Sequence, residues 1–373
     1  MKKIGIMSMQ RILNYGSFLQ AYALKTVLEE LGVEVQFVDY HVGKTLISDN
    51  RQNTKFQRIF MKVSEALGIR TSLKNKLSFI NYKRTYAKKY LPMLEIGQKY
   101  NYLPELDVLV IGSDEVFNCI QDNTNVGFSP ELFGEGCKTD YLISFAASFG
   151  NTTLEKLELY GKKAEIKRYL SHFKSLSVRD ENSILIVKSL LGKEPQKHLD
   201  PVLVFDYMHQ CSRIPNDLRL DKPYIILYGY SGRITRDEAK KIEKFAQKSK
   251  KEILFLGGIQ HCKGVFKDCS PFDVLGYFKN ADCVITDTFH GTIFSIINHK
   301  PFFTIVRKSI NNSYGNQEKL TDLLNTLKLS HRAVEKVDHL ERIYEDIDYS
   351  NVEKIIMKER KKAYDYLQKN IVG

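Results

Sequence analysis

At 373 residues the chain exceeds one ordinary domain, and two are expected. Its apolar content of 43% suits a soluble globular protein, it has no apolar run of the ~18 residues needed to cross a bilayer, and Met1-Lys2-Lys3-Ile4-Gly5-Ile6-Met7 turns polar too soon for a secretory leader. The net charge of +12 is concentrated: residues 41–100 hold thirteen Lys or Arg against three acids (Asp49, Glu65, Glu95), a local excess of +10 that calls for a local acidic partner.

In chain order, residues 3–9 read as a buried strand, followed by a loop that ends in Asn14-Tyr15-Gly16-Ser17. Ser17 is expected to cap a helix from Phe18 to Leu31, with Leu19, Tyr22, Ala23 and Val27 on its apolar side and Gly32 at its end. The alternating segment 33–38 then completes a β-α-β unit, which implies a parallel sheet. Residues 45–100 read as a polar, helical insertion. Within it Phe56, Ile59, Phe60 and Val63 recur at helical spacing among Arg51, Lys55, Arg58 and Lys62, the pattern of a basic amphipathic helix at a membrane surface. Three strands follow: 106–111 running into Gly112-Ser113-Asp114, 141–147, and 176–178 running into Arg179-Asp180. His198-Leu199-Asp200-Pro201-Val202 closes the first half.

The second half repeats the alternation. Strands are expected at 224–228, 252–256, 283–286 and 301–306, and helices at 235–249, 271–279, 320–327 and 351–368. The most informative stretch is strand 283–286, which turns through Asp287-Thr288-Phe289-His290-Gly291-Thr292 into an apolar helix. Amides at a helix start lack intrahelical partners and can seat an anion. Gly291 is expected to admit a ligand close to the backbone, and His290 can hold or move a proton near neutral pH.

These patterns predict an α/β protein with two Rossmann-like domains facing a cleft. The expected boundaries are 1–205 with the basic insertion 41–100, 206–340, and a helical segment 341–373. Ligands of such sheets sit at the carboxyl ends of the strands, where Asn14, Ser113, Asp114, Arg179, Asp200 and His290 cluster. The sequence has no GxGxxG and no GxxxxGK[ST], so dinucleotide and P-loop readings lack support. Six dispersed cysteines without a CxxC pair predict free thiols and no metal site; His261-Cys262 with Cys269 finds no second pair.

Asn14-Tyr15-Gly16-Ser17 with Gln20-Ala21-Tyr22-Ala23-Leu24 resembles the N-terminal motif of the polysaccharide pyruvyl transferases. Gly112-Ser113-Asp114-Glu115-Val116-Phe117-Asn118 resembles that family's G-S-D-x-x-W-N, with Phe117 where Trp is usual. Ser177-Val178-Arg179-Asp180, Asp200-Pro201-Val202-Leu203 and Thr286-Asp287-Thr288-Phe289-His290-Gly291 resemble its S-x-R-[DE], D-P-[TV]-L and T-D-S-F-H-G, with Thr288 for Ser. The five motifs occur in family order.

The resemblance implies a fold like the GT-B glycosyltransferases. It implies transfer of the pyruvyl group of phosphoenolpyruvate to a sugar of a capsule, an exopolysaccharide or its lipid-linked precursor, giving a ketal, by default 4,6-linked on a hexose. The family's key His and Arg fall on His290 and Arg179. The donor carries a phosphate and a carboxylate, which suit an Arg fork and helix-start amides. Arg179, Thr288, Phe289, His290, Gly291, Thr292 and Arg307 are therefore the expected donor-binding residues. Asn14, Tyr15, Gly16, Ser113, Asp114 and Asn118 are expected on the acceptor side. His290, Arg179 and Asp114 are the expected catalytic groups, with Asp114 pairing with His290 across the cleft. No metal and no cofactor beyond the donor are expected. The protein is expected in the cytoplasm, peripheral on the inner membrane face through residues 41–100, where anionic lipid and a lipid-diphosphate-linked acceptor are the anticipated partners; no nucleic-acid motif accompanies the charge. The rival readings are a GT-B glycosyltransferase using a nucleotide sugar and a non-catalytic glycan-assembly protein.

Overall fold

The computed structural model describes residues 1–47, 68–121, 123–307 and 317–373. Strands β1 (Lys3–Met7), β2 (Glu34–Phe37), β3 (Val108–Asp114), β4 (Leu142–Ala147), β5 (Ser177–Val178) and β6 (Gln196–Lys197) form one sheet in the order β2-β1-β3-β4-β5-β6. A second sheet contains β7 (Tyr224–Tyr228), β8 (Glu252–Leu256), β9 (Val265–Phe266), β10 (Cys283–Thr286), β11 (Phe302–Ile305) and β12 (Ala333–Val334) in the order β12-β11-β10-β7-β8-β9. Every pairing is parallel. Parallel strands covered on both faces are continuously apolar, and β4, β7, β10 and β11 are buried at every position.

Strand order reverses between β1 and β3 in the first sheet and between β7 and β10 in the second. At such a switch point the crossovers diverge and open a crevice beyond the carboxyl ends of the strands. The protein is thus two Rossmann-like domains whose crevices meet in one cleft, a GT-B-like arrangement.

Helix α1 (Tyr15–Glu29) starts three residues before the expected position. Its cap is Asn14 rather than Ser17: Asn14 Oδ1 accepts from the Ser17 amide at 2.7 Å. Nearly the whole first half of α1 is buried, so amphipathic periodicity could not mark its start. Ser17 is left to donate its hydroxyl to Asp114 Oδ2 at 3.0 Å.

The described part of the insertion is built on helix α2 (Leu73–Tyr90), which ties both domains together. Asn75 donates to the Gly264 carbonyl at 2.9 Å and accepts from the Phe266 amide at 3.0 Å, extending the edge at β9. Buried Tyr82 packs on Phe266 and Tyr15, and the Tyr86 hydroxyl donates to the Asn14 carbonyl at 2.9 Å. The expected basic helix over 51–63 lies outside the described residues. Helices α3 (Glu181–Leu191), α4 (Arg236–Lys248) and α5 (Pro271–Asn280) are capped by Asp180, Thr235 and Ser270. After β10 come α6 (Phe289–Ile297) and α7 (Gln317–Thr326). Helix α8 (Tyr349–Ile371) returns to the first domain, where the Tyr366 hydroxyl donates to Ser144 of β4 at 2.9 Å. A continuous apolar core joins the domains, including an edge-on contact of Tyr22 in α1 with Phe272 in α5.

Candidate active site

The ends of β1, β3 and β5 face the ends of β7 and β10 across a cavity of 630 Å³. From the first domain it is lined by Asn14, Tyr15, Ser17, Asp114, Asn118 and Arg179, and from the second by Tyr228, Asp287, Thr288, Phe289 and His290.

Arg179 follows β5 directly and is almost fully buried. Its Nη1 donates to Asp200 Oδ2 at 2.7 Å, its Nη2 lies 3.7 Å from Asp114 Oδ1, and its guanidinium stands 4.3 Å from the centroid of the Phe289 ring. Burial works against this cation, yet Asp200 and Asp114 outweigh it and raise its pKa. Arg179 Nε is buried with no hydrogen-bond partner among the described residues.

His290 lies in the first turn of α6. Its Nδ1 side faces Gly16 so closely that a Cβ on Gly16 would stand 2.2 Å from Nδ1. Its Nε2 lies 3.7 Å from Asp200 Oδ2, an ion-pair distance too long for a hydrogen bond, and is buried without a hydrogen-bond partner among the described residues. The expected pairing of Asp114 with His290 is therefore corrected: the carboxylate beside His290 is Asp200. Burial pushes the Asp200 carboxyl up, but His290 and then Arg179 reverse this and hold it at about 2. Asp114 instead accepts from Ser17 Oγ and from the Glu115 amide, the latter at 2.9 Å, with its backbone at φ 79°.

The start of α6 departs from expectation in its details. Thr288 is the cap: its Oγ1 accepts from the Gly291 amide at 3.0 Å and contacts Thr286 Oγ1. The Thr292 amide donates to the Thr288 carbonyl. Gly291 and Thr292 are thus held inside the helix, and the unpaired first-turn amides belong to Phe289 and His290. Gly291 is required by packing rather than by ligand approach, because a Cβ there would meet Thr286 Oγ1 at 2.2 Å and Tyr228 at 2.6 Å.

Other expected residues fall in different places. Ser113 is fully buried, donates to the Ala146 carbonyl and does not line the cavity. Asn118 lines it but holds Glu115 Oε2 at 3.0 Å and accepts from Thr152. The Tyr15 hydroxyl donates to the Cys269 carbonyl, joining the domains. Arg307 stands behind the cavity: its guanidinium forks onto Glu238 at 3.2 and 3.0 Å and lies 3.8 Å from Asp287.

Sequence reasoning missed the role of Asp200, although it lay in a quoted motif, and it missed Glu115, Arg233 and Lys319 at the cavity wall. Lys319 of α7 crosses from the second domain to Glu115 at 2.8 Å. No local pattern marks a lysine at a helix start as a partner of an acid some two hundred residues away. Among the described residues no group of three or more His, Cys, Asp or Glu could hold a metal, and no helix is long and apolar enough to cross a membrane.

Similarity to solved structures spans the whole chain at low identity. The UDP-GlcNAc 2-epimerase of Methanocaldococcus jannaschii, in complex with UDP-GlcNAc and UDP, is 11% identical over 100% of both chains with a TM-score of 0.48. The glycosyltransferase SnogD from Streptomyces nogalater is 12% identical over 100% of this chain and 99% of that one, with a TM-score of 0.42. The UDP-GlcNAc 2-epimerase from Neisseria meningitidis is 9% identical over 97% and 100%, with a TM-score of 0.45. Likenesses at this level carry no information on chemistry, and no curated protein matches significantly. The family model for polysaccharide pyruvyl transferase matches residues 14–309, from the cap of α1 to beyond β11, and so takes in both walls of the cleft. The chain belongs to the polysaccharide pyruvyl transferase family and is a transferase.

Proposed function

We propose that the cleft binds phosphoenolpyruvate and transfers its pyruvyl group to a sugar diol, releasing phosphate and leaving a ketal on a cell-surface glycan or its precursor. The observation that carries this reading is a pair of buried nitrogens, Arg179 Nε and His290 Nε2, on two residues that line one cavity beside the start of α6. Buried polar atoms of this kind call for a partner, and a small dianion supplies one. Asp200 holds Arg179 through Nη1, which leaves the Nε–Nη2 edge as a fork for carboxylate or phosphate. The Phe289 and His290 amides serve the other anionic group.

In this reading His290 gives a proton to the methylene carbon of the enol, and positive charge develops at the adjacent carbon. One sugar hydroxyl attacks that carbon and loses its proton. The C–O bond to phosphate then breaks, and the second hydroxyl closes the ring with loss of its own proton. Asp200 steadies the protonated imidazole by charge, and Asp114, held by Ser17, faces the acceptor as proton acceptor. A 4,6-ketal on a hexose is the linkage this proposal starts from.

A thermal-shift titration tests it, with phosphoenolpyruvate set against UDP- and GDP-sugars on wild type and His290→Ala. The expected result is a rise in melting temperature with phosphoenolpyruvate that weakens in the variant. A rise only with a nucleotide sugar would overturn the donor assignment and favour a glycosyltransferase.

A further inference from the structure

Helix α2 carries a surface that the cleft chemistry does not use. Its eighteen residues include six Lys or Arg and no acid. Asn75, Tyr82, Tyr86 and Tyr90 face inward and are buried. On the opposite side Leu73, Leu77, Arg84 and Lys88 follow one another at spacings of four, seven and four, which sets them in a single stripe. Leu73 and Leu77 are 73% and 67% exposed. Arg84, Lys88 and the flanking Lys74 are exposed too, and none of the three forms an ion pair with a described acid.

We propose that this face of α2 seats the protein on an anionic lipid bilayer. Two outward leucines within a field of long cations fit the boundary between acyl chains and phosphate headgroups: the leucines enter the apolar layer while the Lys and Arg stems reach outward to the phosphates. A partner recognised by charge alone would leave Leu73 and Leu77 without a purpose. Placement supports the same occupant. Lys83, on the adjoining side of the helix, lines the cavity and donates to the Leu13 carbonyl beside the start of α1, so a bilayer under the leucine stripe lies next to the acceptor side of the cleft. The inference stands on α2 alone and does not depend on the identity of the donor.

The test is co-sedimentation of the full chain with phosphatidylcholine vesicles, with and without phosphatidylglycerol, at low and high salt. Wild type is expected to bind the phosphatidylglycerol vesicles and to be released by salt. Leu73→Ser/Leu77→Ser is expected to bind about tenfold more weakly or worse, since each leucine withdrawn from an apolar layer is worth more than a factor of ten at the upper end. Lys74→Glu/Lys88→Glu should remove the preference for anionic lipid. All four side chains are exposed, so circular dichroism should show both variants folded. No preference of wild type for anionic vesicles would overturn the proposal, as would undiminished binding by the double-serine variant. Retention on duplex DNA that equals vesicle binding and ignores Leu73 and Leu77 would overturn it too, because charge alone would then be recognised.

Discussion

Asp200 sets the charge balance of the cleft. It is almost completely buried, it is hydrogen-bonded to Arg179, and it faces His290 from 3.7 Å. The His290 imidazole and the Arg179 guanidinium around one carboxylate explain why it stays ionised despite burial. Removing its charge while keeping its shape leaves Arg179 buried without its hydrogen-bonded carboxylate and with only the more distant Asp114, Asp180 and Glu115 to compensate. Breaking a buried pair in this way costs about 3–5 kcal/mol. Asp200→Asn is therefore expected to lose stability on that scale in urea unfolding and to lose most of its activity. A loss below about 1 kcal/mol would mean that Asp114, Asp180 and Glu115 carry the compensation instead. The sequence placed Asp200 among the polar residues at the strand ends and within Asp-Pro-Val-Leu, without its partners. Its partnership with His290 depends on two domains meeting, which no local pattern records.

Two helix starts face each other across the cleft, and their meeting point is Gly16. The sequence made the elements readable: continuous apolar runs became parallel strands, and the strand-turn-helix at 283–297 formed as its pattern implied. Boundaries were less legible where burial is uniform, which is why the cap of α1 moved from Ser17 to Asn14. The bridging role of α2 was not legible either, because residues 45–100 read only as a polar, helical insertion and no local pattern shows that β9 lies beneath Tyr82. Gly16 has no left-handed backbone, so its small size is what matters here. An alanine at this helical position would favour α1 by up to about 1 kcal/mol, yet its Cβ would overlap the His290 ring. Displacing a reacting group by about 1 Å costs on the order of 10²-fold in rate. Gly16→Ala should therefore lower the melting temperature modestly, because the clash reaches the Cβ of His290 as well as its ring and overpacking of about 1–3 kcal/mol exceeds the helix gain, while kcat/KM for phosphate release falls by about that factor. Wild-type turnover in this variant would show that the position of the His290 ring is not limiting.

At the scale of the whole molecule, α7 joins the domains by two ion pairs: Lys319 with Glu115, and Asp322 with Lys197, each at 2.8 Å. The first lies at the wall of the cavity, where the Glu115 side chain keeps 18% exposure. Burial alone would push the Glu115 carboxyl up; Lys319 reverses this, with smaller help from Arg179 and Asn118, and holds it at about 2. A carboxyl whose pKa is depressed in the folded state adds stability above its unfolded value, here 4.5, and that stability is lost as pH falls toward about 2. Replacing Lys319 with methionine keeps the reach of the side chain and deletes its charge, so the Glu115 pKa rises and the contribution at neutral pH disappears. The melting temperature of Lys319→Met is expected to lie several degrees below wild type near neutral pH, since ~1 kcal/mol shifts a chain of this size by a few degrees. The gap should narrow steadily as pH falls below about 4.5, because Glu115 then gains a proton in wild type as well. Scanning calorimetry from neutral to acid pH measures that gap directly. A gap that stays constant with pH would assign Lys319 to packing and remove the Glu115 pair as the link between the domains.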